Sequence, residues 1–359
     1  MDATIRFWDV HTRRPIDVLN HKESQVNCLA ISPDSTQLAA AGWEKVRIYD
    51  TNSPTTQNMH TFHVHEKNVT TLGYQAEGMW MFTGGEDGMA KIWDMRANQL
   101  TCQRIFQVNT AVHCVALHPN QIELIVADST GALYLWDLRS DRDDSLVTEV
   151  DLSEYVVHVE LDQTGRQCAA VTNRGHLFMW NIHTGTLAQT QKPSAVMDPY
   201  SANYQPECHG LMEMAPLGPP PPTSPMEDVY NAPYGVGAAT SDLYTIMSNI
   251  QPSWKTAAHD TFTLKCHFTP DGLSVATTAA DYTAKIWNAT EFELRREFRM
   301  PQEKWVWECA FTNDSKYMFT ASSDGFMRMW NVEDGKEVGT YQGHTMGVTA
   351  MAFKDVNYY

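Results

Sequence analysis

An aromatic residue followed by an acid or amide recurs along this chain at a nearly fixed interval. The pairs are Trp8-Asp9, Tyr49-Asp50, Trp93-Asp94, Trp136-Asp137, Trp180-Asn181, Trp287-Asn288 and Trp330-Asn331, and their successive spacings are 41, 44, 43, 44, 107 and 43 residues. A period of about 40–45 residues ending in this dipeptide is that of a four-stranded sheet repeated radially as the blades of a propeller. The interval of 107 is one ordinary period enlarged by an insertion. Seven phased pairs therefore predict an all-β, seven-bladed β-propeller over residues 1–359, interrupted between the fifth and sixth pairs.

Local stereochemistry agrees with that reading. Phe82 to Met95 reads as a strand ending at Thr83, a turn over Gly84 to Gly88, and a second strand ending at Trp93-Asp94. Glu86-Asp87-Gly88 supplies residues that tolerate positive φ. Met89, Lys91 and Trp93 alternate with Ala90 and Ile92 at the period of two that a strand requires. Val26–Asp34, Val112–Asn120 and Leu264–Asp271 each join an apolar run to a Pro-Asp or Pro-Asn turn, as an innermost strand leading into the second would. On that alignment Cys28, Cys114, Cys266 and Cys309 share one position and are expected to be small buried core residues. Seven cysteines, an odd number with no Cys-x-x-Cys pair, fit a reducing, intracellular setting.

The ends and the insertion are less regular. Seven residues precede Trp8, enough for one strand, and Val348–Phe353 reads as an inner strand with no Trp-Asp pair after it. The closing blade is expected to take its inner strand from the carboxyl end and its third from residues 3–8. Its second strand has no evident source, because Asp355–Tyr359 is short, so an incomplete closing blade is expected. Residues 193–252 hold 11 of the 17 prolines and six acidic residues, with no Lys or Arg. Such a segment buries too little apolar surface to offset its chain entropy, and it reads as a Pro-rich, acidic, disordered insertion.

Composition and motifs exclude several functions. The balance of 26 basic against 43 acidic residues, a net charge of −17, argues against nucleic acid as a partner. No run of 18 apolar residues offers a membrane span, and the first residues lack an apolar signal core. Gly84–Gly88 lacks the Gly-Lys-Ser/Thr of a phosphate loop. His63-Val64-His65 has a spacing that could hold a metal on a strand face, but no third ligand accompanies it, and His65 stands where blades place a structural histidine. No Gly-x-Ser-x-Gly or His-Glu-x-x-His occurs, and no polar cluster converging on the central channel is legible. No catalytic residue, metal or cofactor is expected. The polar residues Asp87 and Trp93, His259, Asp281 and Trp287, and Ser322, Asp324 and Trp330 are expected to hold blades together through buried hydrogen bonds.

The residues that break the repeat point to a partner. Trp305 and Trp307 enter an inner strand where other blades carry small or polar residues, and standing two apart they face the same way. Large aromatics at a rim are the type enriched at interface hot spots, although filling a gap in the next blade is the competing reading. Gln25 opens the equivalent strand of another blade.

The chain resembles the WD-repeat subunits of the TOR kinase complexes, the "lethal with Sec-thirteen" type. The resemblance is carried by Met81–Gly88, Cys102–Asn109, Leu117–Ile125, Ala39–Gly42, Lys304–Phe311 and Thr320–Asp324. It implies a non-enzymatic scaffold subunit that binds the carboxyl-terminal lobe of the TOR kinase domain, stabilises it and supports complex assembly. Other TOR complex subunits would be further partners, with one copy per kinase chain, in the cytoplasm and at the lysosomal surface through the kinase complex. Carried over residue by residue, Gln25, Trp305 and Trp307 are the partner-facing set, and Trp43 joins them from its place in an exposed turn. Two departures stand out: the family has a further strand before its first Trp signature, and it lacks the long insertion. A competing reading, a substrate receptor of a cullin ubiquitin ligase, rests on Trp93-Asp-Met-Arg96 and Trp136-Asp-Leu-Arg139.

Overall fold

The structure, a computed structural model, describes residues 3–21, 25–52, 59–96, 100–139, 145–149, 154–181 and 253–355, and the insertion expected at 193–252 lies outside them. All of these residues belong to one compact unit, which comprises residues 1–184 and 240–359. The 25 strands of the described residues are all antiparallel to their neighbours.

The first blade is β3 (Cys28–Ile31), β4 (Gln37–Ala41), β5 (Trp43–Asp50) and the first half of β6 (His60–Tyr74). The second is the rest of β6 with β7 (Trp80–Gly85), β8 (Met89–Asp94) and β9 (Thr101–Gln107). The long β6 joins the two, pairing with β5 through His60–His63 and with β7 through Val69–Tyr74. The third blade is β10 (Val112–Leu117), β11 (Glu123–Asp128), β12 (Ala132–Asp137) and β13 (Ser145–Glu149). The fourth is β14 (Val156–Leu161), β15 (Gln167–Thr172), β16 (His176–Asn181) and β17 (Trp254–Ala257). The fifth is β18 (Thr263–Phe268), β19 (Ser274–Ala279), β20 (Thr283–Asn288) and β21 (Leu294–Arg299). The sixth is β22 (Val306–Phe311), β23 (Tyr317–Ser322), β24 (Phe326–Asn331) and β25 (Glu337–Gln342).

Burial grades outward along each blade. The second strands β7, β11 and β19 are buried at every residue, covered on both faces by neighbouring blades. The outermost β9, β21 and β25 bury only occasional residues. Inner strands pack in chain order, β3 to β6, β10, β14, β18 and β22. Most carry a bulge near their start, where the register shifts between Val69 and Thr71, Val112 and Cys114, Val156 and His158, Thr263 and Lys265, and Val306 and Glu308.

The register corrects the cysteine alignment. Cys28 and Cys114 face Ala41 and Ala127, whereas Cys266 and Cys309 sit one position further on, facing Thr277 and Thr320. The distance to the turn proline carries the signal: Cys28 and Cys114 stand five residues before theirs, and Cys266 four. All four are buried, as expected. The strand before the first turn also runs on through Gly85, two residues beyond Thr83.

The closing blade holds β1 (Thr4–Trp8) paired with β2 (Pro15–Asn20) as its outer strands. Residues 348–353 take the inner place without forming a strand ladder. Val348 donates its N–H to the Ser322 carbonyl at 3.0 Å, and the Thr349 hydroxyl donates to the Val26 carbonyl at 2.9 Å. Ala352 packs on the core of the first blade around Leu38 and Tyr49, and Phe353 lies 4.8 Å from Phe319 of the sixth. The ring therefore closes although, among the described residues, no strand lies between β1 and 348–353.

Candidate functional site

Rigidity comes from hydrogen-bond chains that run from the third strand through the second to the loop before the inner strand. In the second blade Trp93 Nε1–H donates to the Thr83 hydroxyl at 2.9 Å, and that hydroxyl donates to His65 Nε2 at 2.7 Å. His65 Nδ1–H then donates to Asp87 at 2.9 Å. Burial holds the His65 imidazole below its ordinary value, against the pull of Asp87, so the neutral ring has one donor and one acceptor for this chain. The fifth blade repeats the arrangement with Trp287, Thr277, His259 and Asp281 at 3.0, 2.7 and 2.8 Å. Burial raises the Asp281 carboxyl, but hydrogen bonds and charge from His259, with Thr283, outweigh it and hold the group at about 2. Sequence reading found these networks only in fragments because it did not assign Thr83 and Thr277 as the bridges.

The sixth blade differs from its expected form. Trp330 donates to Thr320, at 2.9 Å, rather than to Ser322, and Asp324 binds the Arg328 guanidinium at 2.6 Å. Among the described residues, the Ser322 hydroxyl accepts the Asp324 N–H at 3.5 Å and takes no part in the tryptophan chain. Trp330 packs against Ser322's strand from ten residues beyond Thr320, so the hydroxyl within reach of its indole N–H is Thr320.

The turns between second and third strands touch the loops that lead into the next inner strand. A side chain at Gly88 would meet the Val108 and Thr110 carbonyls at 2.7 and 3.0 Å, and one at Gly325 would meet those of His344 and Met346 at 2.9 and 3.1 Å. Both glycines adopt positive φ, so the close approach and the turn select the same residue. One edge of the ring therefore carries these turns together with the starts of the inner strands.

On this edge stand Trp43, 51% exposed, at the start of β5, and Trp305, 43% exposed, immediately before β22. The Trp305 and Trp307 rings lie 5.5 Å apart, on the same side of the strand. Trp307 is half-buried and donates its indole N–H to the Ser323 hydroxyl at 2.7 Å. Gln25 occupies the register position of Trp305 in the first blade but is half-buried, in the wall of a groove at the closing blade. Sequence reading missed Phe262, 50% exposed, immediately before β18, and Met346, 51% exposed, two residues before Val348. Phe262 matches Trp305 in register, since Thr263 and Val306 both open the pairing of their strands. Phe262 stands four residues before Cys266 as Trp305 stands four before Cys309, so the sequence held the signal. Phe262, Trp305 and Met346 thus lead into three successive inner segments of the fifth, sixth and closing blades. In the second and third blades that register position holds Asn68 and Ala111.

A polar cluster does converge where β14, β18 and β22 meet, against the sequence reading. His267 Nε2 is 2.7 Å from Glu308 and its Nδ1 is 3.3 Å from Glu160. Lys265 lies 4.0 Å from Glu308, and His158 accepts the Cys266 N–H at 3.4 Å. Burial would lower the His267 imidazole, but Glu160 and Glu308 outweigh it and hold the group up at about 10. Burial, with the charges of Lys265 and His267, pushes His158 well below its ordinary value. The five residues come from three strands distant in sequence, so their meeting had no local sequence pattern. Two carboxylates face one imidazolium and one ammonium, and the charges are spent on one another. Among the described residues no group of His, Cys, Asp and Glu is arranged to hold a metal. His63 pairs with Glu44 at 3.1 Å, apart from His65 and its chain.

The arginines behind the ubiquitin-ligase reading are tied down locally. Arg96 grips Asp94 through Nε and Nη2 at 3.0 and 2.6 Å, and Arg139 grips Asp137 at 3.1 and 3.0 Å.

Comparison with known proteins agrees with the repeat. Residues 251–288 and 293–331 match the WD domain, G-beta repeat, and residues 11–179 match the nucleolar protein 10-like N-terminal domain. The chain is 37% identical to the target of rapamycin complex subunit LST8 of Bos taurus, across 99% of this chain and 93% of that protein. It is 35% identical to the LST8 homolog of Drosophila melanogaster, across 99% and 94%, respectively. It is 33% identical to the target of rapamycin complex subunit LST8-1 of Arabidopsis thaliana, across 82% and 77%. With a repeat, a register and whole-length relatives in agreement, the chain belongs to the LST8 family of WD-repeat proteins.

Proposed function

We propose that this protein is a non-catalytic subunit of a target of rapamycin complex that binds the carboxyl-terminal lobe of the kinase domain. The observation that carries the reading is the run of exposed apolar side chains at the fifth, sixth and closing blades, Phe262, Trp305 and Met346, on one edge of a hydrogen-bonded ring. The names of its relatives supply the complex, and the edge supplies a surface of the composition that interface centres favour. Trp43 extends this surface toward the first blade.

A rigid edge that fits one arrangement of the lobe lowers the free energy of that arrangement alone and shifts the population toward it. Binding folded kinase and not unfolded chain also raises kinase stability by mass action, without contact with nucleotide. The engaged state of Arg96 and Arg139 gives the ubiquitin-ligase reading no free guanidinium, so the kinase reading is preferred.

The test is affinity for the purified kinase domain. Trp305→Ala combined with Phe262→Ala removes two exposed rings that, among the described residues, donate no hydrogen bond, so the ring stays folded. Each hot-spot truncation costs about 2 kcal/mol or more, and the pair, where the two add, is expected to weaken binding by roughly a thousandfold. Unchanged affinity in the folded double variant defeats the assignment of the edge.

A further inference from the structure

One residue holds both tryptophans of the sixth blade. Ser323 opens the turn between β23 and β24. Its N–H donates to the Trp305 carbonyl at 2.9 Å, and its hydroxyl accepts the Trp307 indole N–H at 2.7 Å. The Trp305 and Trp307 rings lie 5.5 Å apart with their planes at 50°, so whatever fixes Trp307 also limits Trp305. The same turn seats the segment that carries Met346. Val348 donates its N–H to the Ser322 carbonyl at 3.0 Å, and a Cβ at Gly347 would stand 3.0 Å from the Ser323 Cα.

The other blades separate what the fold requires from what is particular to Ser323. The backbone bond recurs in four of them: Glu86 donates its N–H to the Asn68 carbonyl, Ser129 to Ala111, Asn173 to Tyr155 and Ala280 to Phe262, at 2.9, 2.9, 3.1 and 2.9 Å. The side chain at this position varies in what it does. Glu86 accepts from the Asn68 amide at 3.2 Å, and Asn173 from the Tyr155 N–H at 3.0 Å. In the fifth blade neither Ala280 nor Leu264, the register counterpart of Trp307, carries a polar side-chain atom. Trp307 itself is the residue that the β22 bulge leaves out of the pairing between Val306 and Glu308. A bulge re-aims its side chain, so the ladder does not set the direction of this ring and the Ser323 hydroxyl does.

We infer that Ser323 is a positioning residue of the partner-binding edge: it holds the Trp307 ring, and through that ring the Trp305 ring, in the arrangement that the partner meets. Its role rests on this edge being the surface that binds the kinase lobe. A side chain ordered before association need not be ordered during it, and ordering a large one at an interface weakens binding by about two- to tenfold. Ser323 therefore acts on affinity through the tryptophans, whether or not the partner touches it. Its backbone bond belongs to the fold, and its hydroxyl belongs to the edge.

The test is the affinity of the intact protein for the purified kinase domain, measured for Ser323→Ala and Ser323→Thr, each with and without Trp307→Phe. Ser323→Ala removes the acceptor and should weaken binding about five- to tenfold. Ser323→Thr keeps the hydroxyl and should return the affinity to that of the parent. Trp307→Phe has no indole N–H, so on that background Ser323→Ala should change nothing further. In the free protein labelled with fluorotryptophan, the fluorine resonance that Trp307→Phe removes should shift and broaden in Ser323→Ala and return in Ser323→Thr. Thermal midpoints establish that the variants are folded, and the cycle with Trp307→Phe decides if the threonine variant is not. Parental affinity in Ser323→Ala, where Trp305→Ala binds weakly, overturns the positioning role and leaves the edge. Parental affinity in both overturns the edge as well. A loss that the folded threonine variant does not recover, an equal loss with and without Trp307→Phe, or a fluorine resonance unmoved in Ser323→Ala makes Ser323 a part of the fold alone and also overturns its role.

Discussion

Thr277 and Thr278 are neighbours on β19, both fully buried, yet valine should affect them in opposite directions. The Thr277 hydroxyl accepts the Trp287 indole proton at 3.0 Å and donates to His259 Nε2 at 2.7 Å. Valine at this position leaves one buried donor and one buried acceptor unsatisfied. Each costs about 1–3 kcal/mol, so Thr277→Val should destabilise the protein by about 2–5 kcal/mol once the hydroxyl's own desolvation is credited back. The Thr278 hydroxyl is buried with no partner, so Thr278→Val removes a polar atom that gains nothing. That change should be neutral or stabilising by up to about 1 kcal/mol. Urea unfolding of the two variants beside the parent, followed by tryptophan fluorescence and by circular dichroism, measures both. Side-chain volume and strand propensity change identically in the two, so only the hydrogen bonds differ. Equal destabilisation by both valines would refute the reasoning.

Further expectations follow from the same geometry. Trp180 Nε1 is buried without a partner, because Ala170 stands where Thr277 stands relative to Trp287. Trp180→Phe should therefore cost about 1 kcal/mol or more less than Trp287→Phe, read from urea midpoints. The His267 imidazole is held at about 10 against an ordinary 6.5, so its contribution to stability is full below about 6.5 and is lost as pH rises through 10. The Glu308 carboxyl, buried but held down by Lys265 and His267, contributes above 4.5 and loses that contribution as pH falls through its lower folded value. His158, held well below 6.5 by burial, takes stability away as pH falls below that value. Parent minus His267→Gln stability should accordingly decline between pH 7 and 10, by at most about 1.4 kcal/mol per pH unit. A flat difference would remove the imidazolium from the account.

Much of this fold was legible because the repeat is enforced by local chemistry. The Trp-Asp pairs mark third strands, and Gly88 and Gly325 fill turns where a Cβ would strike carbonyls of the next loop. What escaped the sequence depends on register across strands. Counted from the bulge that these inner strands share, Cys266 and Cys309 lie one position further along than Cys114, a difference that the common cysteine conceals. The bridging hydroxyls of Thr83 and Thr277 carry no motif of their own in a strand rich in small residues. The Glu160, His267, Glu308 and Lys265 cluster joins inner strands that are up to 148 residues apart in sequence, which no local pattern can announce. Gln25 was read at its correct register, and it stands half-buried in the wall of the groove at the closing blade.

Hydrogen exchange of this protein, alone and bound to a purified target of rapamycin kinase domain, bears most directly on the edge. Slowed exchange should concentrate in the segments entering β18 and β22, in residues 344–348 and in the turn at Trp43, while the outer strands β9 and β21 exchange as they do in the free chain. Protection confined to the outer strands, or a stable complex with none at these loops, would contradict it.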